Sequence, residues 1–350
     1  MTVRLMSQMG QKTKSSRRAH VFRVGSDNGH MRKLHRNDRF VPATDIVALA
    51  HVVCFVPEFE TSRWTGNKTT TMAVLRIAAF SDGNNGGNPA GIWIGEDLPP
   101  ASKMMQAMAA DVGFSETAFA TPEGGAWRVR YFSPLCEVPF CGHATIALGA
   151  ALALQHGDRT FELKLNHADI SVAGRRDGHT IAAAFQSPPT RSAPIDPLLQ
   201  ADLLQLLDYS IGDLDLNIPP AKIHAGADHV VLALKTRNAL ARMSYDLKLG
   251  RELMEKAGLV TVALVTAESP QLFHARNAFA VGGVLEDPAT GAAAAAFAGY
   301  LRDIGWPHGG VINIVQGEDM GMRSLIRAEI SEITGSSIRV SGTARIMNDA

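Results

Sequence analysis

Residues 141–154 read Cys141-Gly142-His143-Ala144-Thr145-Ile146-Ala147-Leu148-Gly149-Ala150-Ala151-Leu152-Ala153-Leu154, and residues 290–301 read Thr290-Gly291-Ala292-Ala293-Ala294-Ala295-Ala296-Phe297-Ala298-Gly299-Tyr300-Leu301. Neither Ala144 to Leu154 nor Ala293 to Leu301 contains a charge. Surface helices carry a polar face, so each stretch predicts a helix buried on all sides, with small side chains that let strands close around it. Setting Gly142 over Gly291 puts Leu148 over Phe297, Ala150 over Gly299 and Leu152 over Leu301. This is a weak internal repeat. It implies an α+β architecture of two similar halves, each wrapping a sheet around a central helix. Two unrelated alanine-rich helices give the same pattern, and the repeat by itself does not choose.

Outward from these helices, Val74 to Phe80 reads as a strand, and the turn formers of 81–91 (SDGNNGGNPAG) read as a tight connection to a strand at Ile92 to Ile94. Ala101 to Asp111 has helical character and Gly113 closes it as a C-cap. Strands are expected at Glu116 to Ala120 and Trp127 to Phe132, and again at Val230 to Leu234, Val260 to Thr266 and Leu272 to Ala275.

The chain has 350 residues, 34 Lys and Arg against 34 Asp and Glu, and 46% apolar residues. That length suits two domains, and zero net charge offers no footprint for nucleic acid or a membrane surface. Cys54, Cys136 and Cys141 are odd in number and lack CxxC spacing, against a disulfide framework or structural zinc and consistent with a reducing cytoplasm. Residues 1–71 carry 12 Lys and Arg against 5 Asp and Glu. They show no sustained periodicity and are expected to be a disordered or mis-called extension, with Met72 as the true start. The apolar run Ile46 to Val56 is too short to span a bilayer.

Each buried helix opens at a glycine with a polar residue beside it: His143 in the first half, Asp287 and Thr290 in the second. Helix N-termini present unpaired N–H groups and a positive dipole, so two of them facing one cleft would bind a carboxylate. Thr290 reads first as a helix cap. Glu116, flanked by aromatic residues in Gly113-Phe114-Ser115-Glu116-Thr117-Ala118-Phe119, is either a partly desolvated acid/base or a solvated glutamate on an edge strand. Asp287 follows Glu286, and either acid could lie on the surface. Cys141 at a helix start invites a thiol reading, yet the second half offers Asp287-Pro288 and no helper cysteine. A zinc site from His143, Cys141 and Asp287 is conceivable by residue type, but no HExxH-like or CxxC pairing supports it. Nucleotide fingerprints are missing: the sequence has neither GxGxxG nor GxxxxGK[ST].

Four segments in order resemble the PhzF-like phenazine-biosynthesis family: Gly87-Asn88-Pro89-Ala90-Gly91; Gly113 to Phe119; Phe132-Ser133-Pro134 with Glu137-Val138-Pro139-Phe140-Cys141-Gly142-His143-Ala144-Thr145; and Glu286-Asp287-Pro288-Ala289-Thr290-Gly291. The resemblance covers Met72 to the C-terminus. It implies a diaminopimelate-epimerase-like α+β fold of two pseudo-symmetric domains, each a curved, mostly antiparallel sheet wrapped around a central helix, with a first domain at 72–189 joined by a C-terminal strand at 336–350 and a second domain at 190–335. It also implies a cytoplasmic homodimeric isomerase that needs neither metal nor organic cofactor and acts on a small carboxylate such as trans-2,3-dihydro-3-hydroxyanthranilate. By resemblance Glu116 is the catalytic acid/base, supported by His143 and Asp287, while Ser115, Gly142, Gly291 and Ala292 contact substrate. Where family members often carry serine, this chain has Ala292, which puts phenazine-type tautomerisation in question. Cys136 has no catalytic counterpart and is read as packing. Rival expectations are a thiol-based amino-acid epimerase of the same fold and a catalytically silent small-molecule binder.

Overall fold

The computed structural model describes residues 74–177 and 180–347. The first half holds β1 (Leu75–Ala79), β2 (Asn88–Ile94), α1 (Ser102–Val112), β3 (Glu116–Glu123), β4 (Ala126–Phe132), β5 (Glu137–Val138), α2 (Gly142–His156), β6 (Arg159–Lys164), β7 (Asp169–Asp177) and β8 (Thr180–Gln186). A link of β9 (Arg191–Pro194) and α3 (Pro197–Leu206) follows. The second half holds β10 (Ala221–His224), β11 (Asp228–Ala233), α4 (Arg237–Ala241), α5 (Leu247–Ala257), β12 (Thr261–Ser269), β13 (Leu272–Ala278), β14 (Glu286–Asp287), α6 (Gly291–Asp303), β15 (Val311–Gln316), β16 (Ser324–Glu329) and β17 (Arg339–Ile346).

The repeat hinted at by two alanine-rich stretches is written out in the strand pairings. In the first half β2 runs parallel to β3, β3 antiparallel to β4, and β4 antiparallel to β5 but parallel to β6, which continues antiparallel through β7 to β8. The second half copies this order: β11 parallel to β12, β12 antiparallel to β13, β13 antiparallel to β14 and parallel to β15, then antiparallel through β16 to β17. The C-terminal strand β17 ties the two together, pairing with β8 and β1 as well as β16. One mixed sheet results, wrapped around two helices.

Helix α2 is buried from Gly142 to Ala153, as its lack of charge requires. It lies so close to β7 that a Cβ on Gly174 would fall 2.2 Å from the carbonyl oxygen of Gly149, so only glycine fits there. In α6 every residue from Ala293 to Arg302 is buried, and Phe297 packs edge-on against Phe273 of β13 with centroids 5.0 Å apart. Truncating such a core side chain, Leu148→Ala for example, costs about 2–5 kcal/mol. Helix α1 buries only Met105 and Ala109 and ends at Gly113 in the left-handed conformation, as the C-cap reading predicted.

The reading of 81–91 as a connection needs correction at its second half. Asn88 to Gly91 already belong to β2, paired with Ala79 to Arg76 of β1. Pairing on both sides, with β1 and β3, overrides a turn-rich composition. Both buried helices begin at the glycines themselves, Gly142 and Gly291, as the reading of their starts expected. The expectations for residues 1–71, including Ile46 to Val56 and Cys54, lie outside the described residues. Among those that are described, no helix is long and apolar enough to cross a membrane.

Candidate active site

Glu116 is the first residue of β3, beside Ala90 of β2. Since β3 lies between β2 and β4, and Glu116 is only 7% exposed, the solvated edge-strand reading is overturned. Its Oε2 lies 3.5 Å from His143 Nε2, and the Ser115 hydroxyl lies 3.4 Å from the same nitrogen. The other ring nitrogen, Nδ1, faces Cys141 Sγ at 3.3 Å. His143 is the second residue of α2, so helix geometry fixes where its ring starts and the three neighbours fix how it turns. Three residues, Ser115, Glu116 and Cys141, therefore meet around one imidazole.

Asp287, in β14, is also buried. One carboxylate oxygen accepts from the Asn88 amide at 2.8 Å, the other from the Thr290 hydroxyl at 2.5 Å. Thr290 is thus not the side-chain cap expected from its position: its hydroxyl makes no capping bond and serves Asp287 instead. Gln316 completes the cage, its amide donating to the Asp287 carbonyl at 2.7 Å and to the Thr290 hydroxyl at 3.1 Å, while its own oxygen accepts from the Thr290 N–H. Burial pushes the Asp287 carboxyl up to about 6, helped by the charge of Glu116 and opposed by His143 and by the hydrogen bonds from Thr290 and Asn88. That mutual influence places Asp287 within electrostatic reach of the His143 cluster. Glu286 is no surface acid either: it is buried against Arg276, whose Nη1 also donates to backbone carbonyls of 240, 241 and 243.

The helix starts converge. An ideal Cβ on Gly142 would sit 3.1 Å from Ala292 N and 3.2 Å from Gly291 Cα, so the first turns of α2 and α6 approach so closely that an added methyl would press on the opposing backbone. The first intrahelical bonds run from Thr145 N to Cys141 O and from Ala294 N to Thr290 O, so the N–H groups of 142–144 and 291–293 precede them. Two helix N-termini, each the positive end of a helix dipole, therefore lie close together.

Glu116, Cys141 and His143 also offer donor atoms within 4.8 Å of one another. A metal ion takes one imidazole nitrogen, whereas here the thiol and the carboxylate address opposite nitrogens of the ring, which is the arrangement of a hydrogen-bond relay. Asp287, the other ligand weighed from the sequence, has both oxygens engaged by Asn88 and Thr290. The Cys141 thiol is pushed well above its ordinary range by burial and by the charges of Glu116 and Asp287, against the pull of the Ala144 amide, so it stays protonated. Cys136, half-buried, sits in a turn closed by Ser133, its N–H donating to the Ser133 hydroxyl.

Sequence reasoning missed two residues. Asn88 stood inside a quoted motif but read as a turn former next to Pro89. Gln316 ends an ordinary apolar strand and carries no local signal. An open groove lined by Gln186, Gly310, Arg327, Glu329 and Arg339 includes none of the site residues.

Comparison with known proteins agrees with this fold. The family model described as phenazine biosynthesis-like protein, PhzC-PhzF, matches residues 77–350. The trans-2,3-dihydro-3-hydroxyanthranilate isomerase of Pseudomonas aeruginosa is 31% identical over 76% of this chain and 94% of its own length. An uncharacterized isomerase of Deinococcus radiodurans is 31% identical over 77% and 91%. Among solved structures, the Bacillus anthracis PhzF-family phenazine biosynthesis protein superposes with a TM-score of 0.69 at 20% identity, covering 79% of this chain and 96% of that one. A probable proline racemase from Agrobacterium radiobacter gives 0.54 at 12% identity over 78% and 90%, a likeness of fold alone. With a family match across the whole described body and relatives named isomerases over nearly their full lengths, the chain belongs to the PhzC-PhzF family of phenazine biosynthesis-like proteins and is an isomerase.

Proposed function

We propose that the isomerase moves a proton between two positions of a small, unsaturated carboxylate, with Glu116 as the single acid/base and without cofactor chemistry. The observation that carries this reading is the place of Glu116: a buried carboxylate 3.5 Å from His143 Nε2, at the mouth of a helix whose N-terminus meets that of a second helix. The two helix starts hold the substrate carboxylate. Glu116 takes a proton from a carbon made acidic by conjugation and returns it at another, while His143 and Asp287 position the polar groups of the substrate and assist tautomerisation. Ser115 contributes a hydroxyl beside His143.

The relative of known activity suggests trans-2,3-dihydro-3-hydroxyanthranilate as the first substrate to offer. At the start of α6 the half-buried Ala292 supplies a backbone N–H and no hydroxyl, which supports carboxylate binding more firmly than that particular ring chemistry. An ultraviolet assay in heavy water, run beside Glu116→Gln, tests the reading. Substrate loss with deuterium incorporation, absent in the variant, supports it; full activity of the variant would sink it. Thiol-based epimerisation finds less support: the Cys141 thiol is held protonated, and Thr290 stands before Gly291 where a second thiol would be needed.

A further inference from the structure

Cys141 has no task in proton transfer by Glu116, yet it is buried and touches the one ring that faces Glu116. The Sγ to Nδ1 separation of 3.3 Å admits one hydrogen between the two atoms. On the far side, Nε2 lies 3.5 Å from Glu116 Oε2 and 3.4 Å from the Ser115 hydroxyl. A ring with its hydrogen on Nδ1 would turn the bare lone pair of Nε2 toward the carboxylate, two acceptors facing each other with only the long contact to the Ser115 hydroxyl to offer a donor. A ring with its hydrogen on Nε2 instead donates toward Glu116 and leaves Nδ1 as an acceptor, which in a buried position needs a donor of its own.

We propose that the Cys141 thiol donates its hydrogen to Nδ1 of His143 and thereby fixes the imidazole as the neutral tautomer with its hydrogen on Nε2, aimed at Glu116. Cys141 is then a positioning residue acting through His143. The geometry leaves one competing acceptor, since the Glu116 carboxylate also lies near the thiol, and burial together with that carboxylate keeps the thiol in the S–H form that a donor requires. A serine in the same place offers the same donor.

Two spectroscopic readouts need no substrate, so they stand apart from the assignment of Glu116 as the acid/base. In the infrared difference between wild type and Cys141→Ala, the S–H stretch belonging to Cys141 should be broadened and lowered in frequency, as for a strong donor. It should move to the free-thiol position in His143→Phe and stay lowered in Glu116→Gln. If His143→Phe fails to fold, nitrogen NMR of the labelled wild-type protein decides alone: His143 should show an unprotonated Nδ1 and a protonated Nε2. A free-thiol band in the wild type, a band that responds to Glu116→Gln and not to His143→Phe, or a hydrogen on Nδ1 each overturns the proposal.

The kinetic arm rests on the proposed isomerase reading. Cys141→Ala should lower kcat about tenfold, the equivalent of one lost hydrogen bond, with KM little changed, and Cys141→Ser should restore most of it. If Cys141→Ser is as inactive as the alanine variant while Glu116→Gln remains active, the thiol is the reacting group and both readings fall. If Glu116→Gln is inactive and serine does not rescue, only the positioning role falls.

Discussion

Asn88, on the second strand of the chain, donates its side-chain amide to the carboxylate of Asp287, 199 residues later, at 2.8 Å. The same nitrogen donates to the carbonyl of Ala289 at 3.0 Å. The two halves of the repeat are therefore locked at the site itself, and Asn88 fixes both the Asp287 side chain and the backbone that leads into α6.

Asn88→Ala removes a donor from two buried acceptors at once. Each unsatisfied buried group costs about 1–3 kcal/mol, so urea unfolding should show a loss of roughly 2–6 kcal/mol. Because the lost bond favours the charged carboxylate, the Asp287 carboxyl should rise further. A loss no larger than that of a surface substitution would show that the tie contributes nothing.

Asp287 also makes stability depend on pH with a definite sign. Its folded carboxyl is raised, to about 6 from an ordinary 3.8, so the folded protein holds a proton there that the unfolded chain has released. The stability this adds is full below about pH 4 and is lost as pH rises through about 6, by roughly 3 kcal/mol at most. The groups that face Asp287 are His143, Glu116, Thr290 and Asn88. Asp287→Asn has no proton to release, so the difference in unfolding free energy between variant and wild type should grow in favour of the variant from pH 4 to 6.5 and then level off. A constant difference across that range would contradict the raised carboxyl.

The fold was legible where chemistry is local. Charge-free helices at 144–154 and 293–301 announced burial, and Gly113 announced the end of α1. The strand pairings repeat the same order in both halves, yet the residues forming them differ, since a pleated surface asks only for apolar alternation. The site was legible through its glycines and its acids, and Ser115, Glu116 and His143 do come together. What was hidden depends on contacts between distant residues. Thr290 is the local exception: it looked like a cap because a hydroxyl before a helix usually is one, but Asp287, three residues earlier, accepts from that hydroxyl instead. Asn88 and Gln316 carry amides whose partners lie across the fold or on a neighbouring strand, so no spacing in the sequence marks them.

The meeting of the two helix starts can be tested at its narrowest point. A methyl added at Gly142 would press on backbone atoms, Ala292 N at 3.1 Å and Gly291 Cα at 3.2 Å, as well as on the Phe185 ring. The atoms nearest a methyl added at Gly291 belong to the rings of Phe185 and Phe80, at 3.2 Å, and rings can tilt. Overpacking of this kind costs about 1–3 kcal/mol, with the larger figure expected for Gly142→Ala because the opposing helix must shift as a unit. On the proposed reading, the shift also spreads the N–H groups that hold the substrate carboxylate. Carboxylate affinity, measured by calorimetry with substrate or a benzoate analogue, should therefore fall at least tenfold in Gly142→Ala and much less in Gly291→Ala, out of proportion to their difference in Tm. Equal losses of affinity in both variants would mean that the carboxylate is held elsewhere, and that the convergence of α2 and α6 serves packing alone.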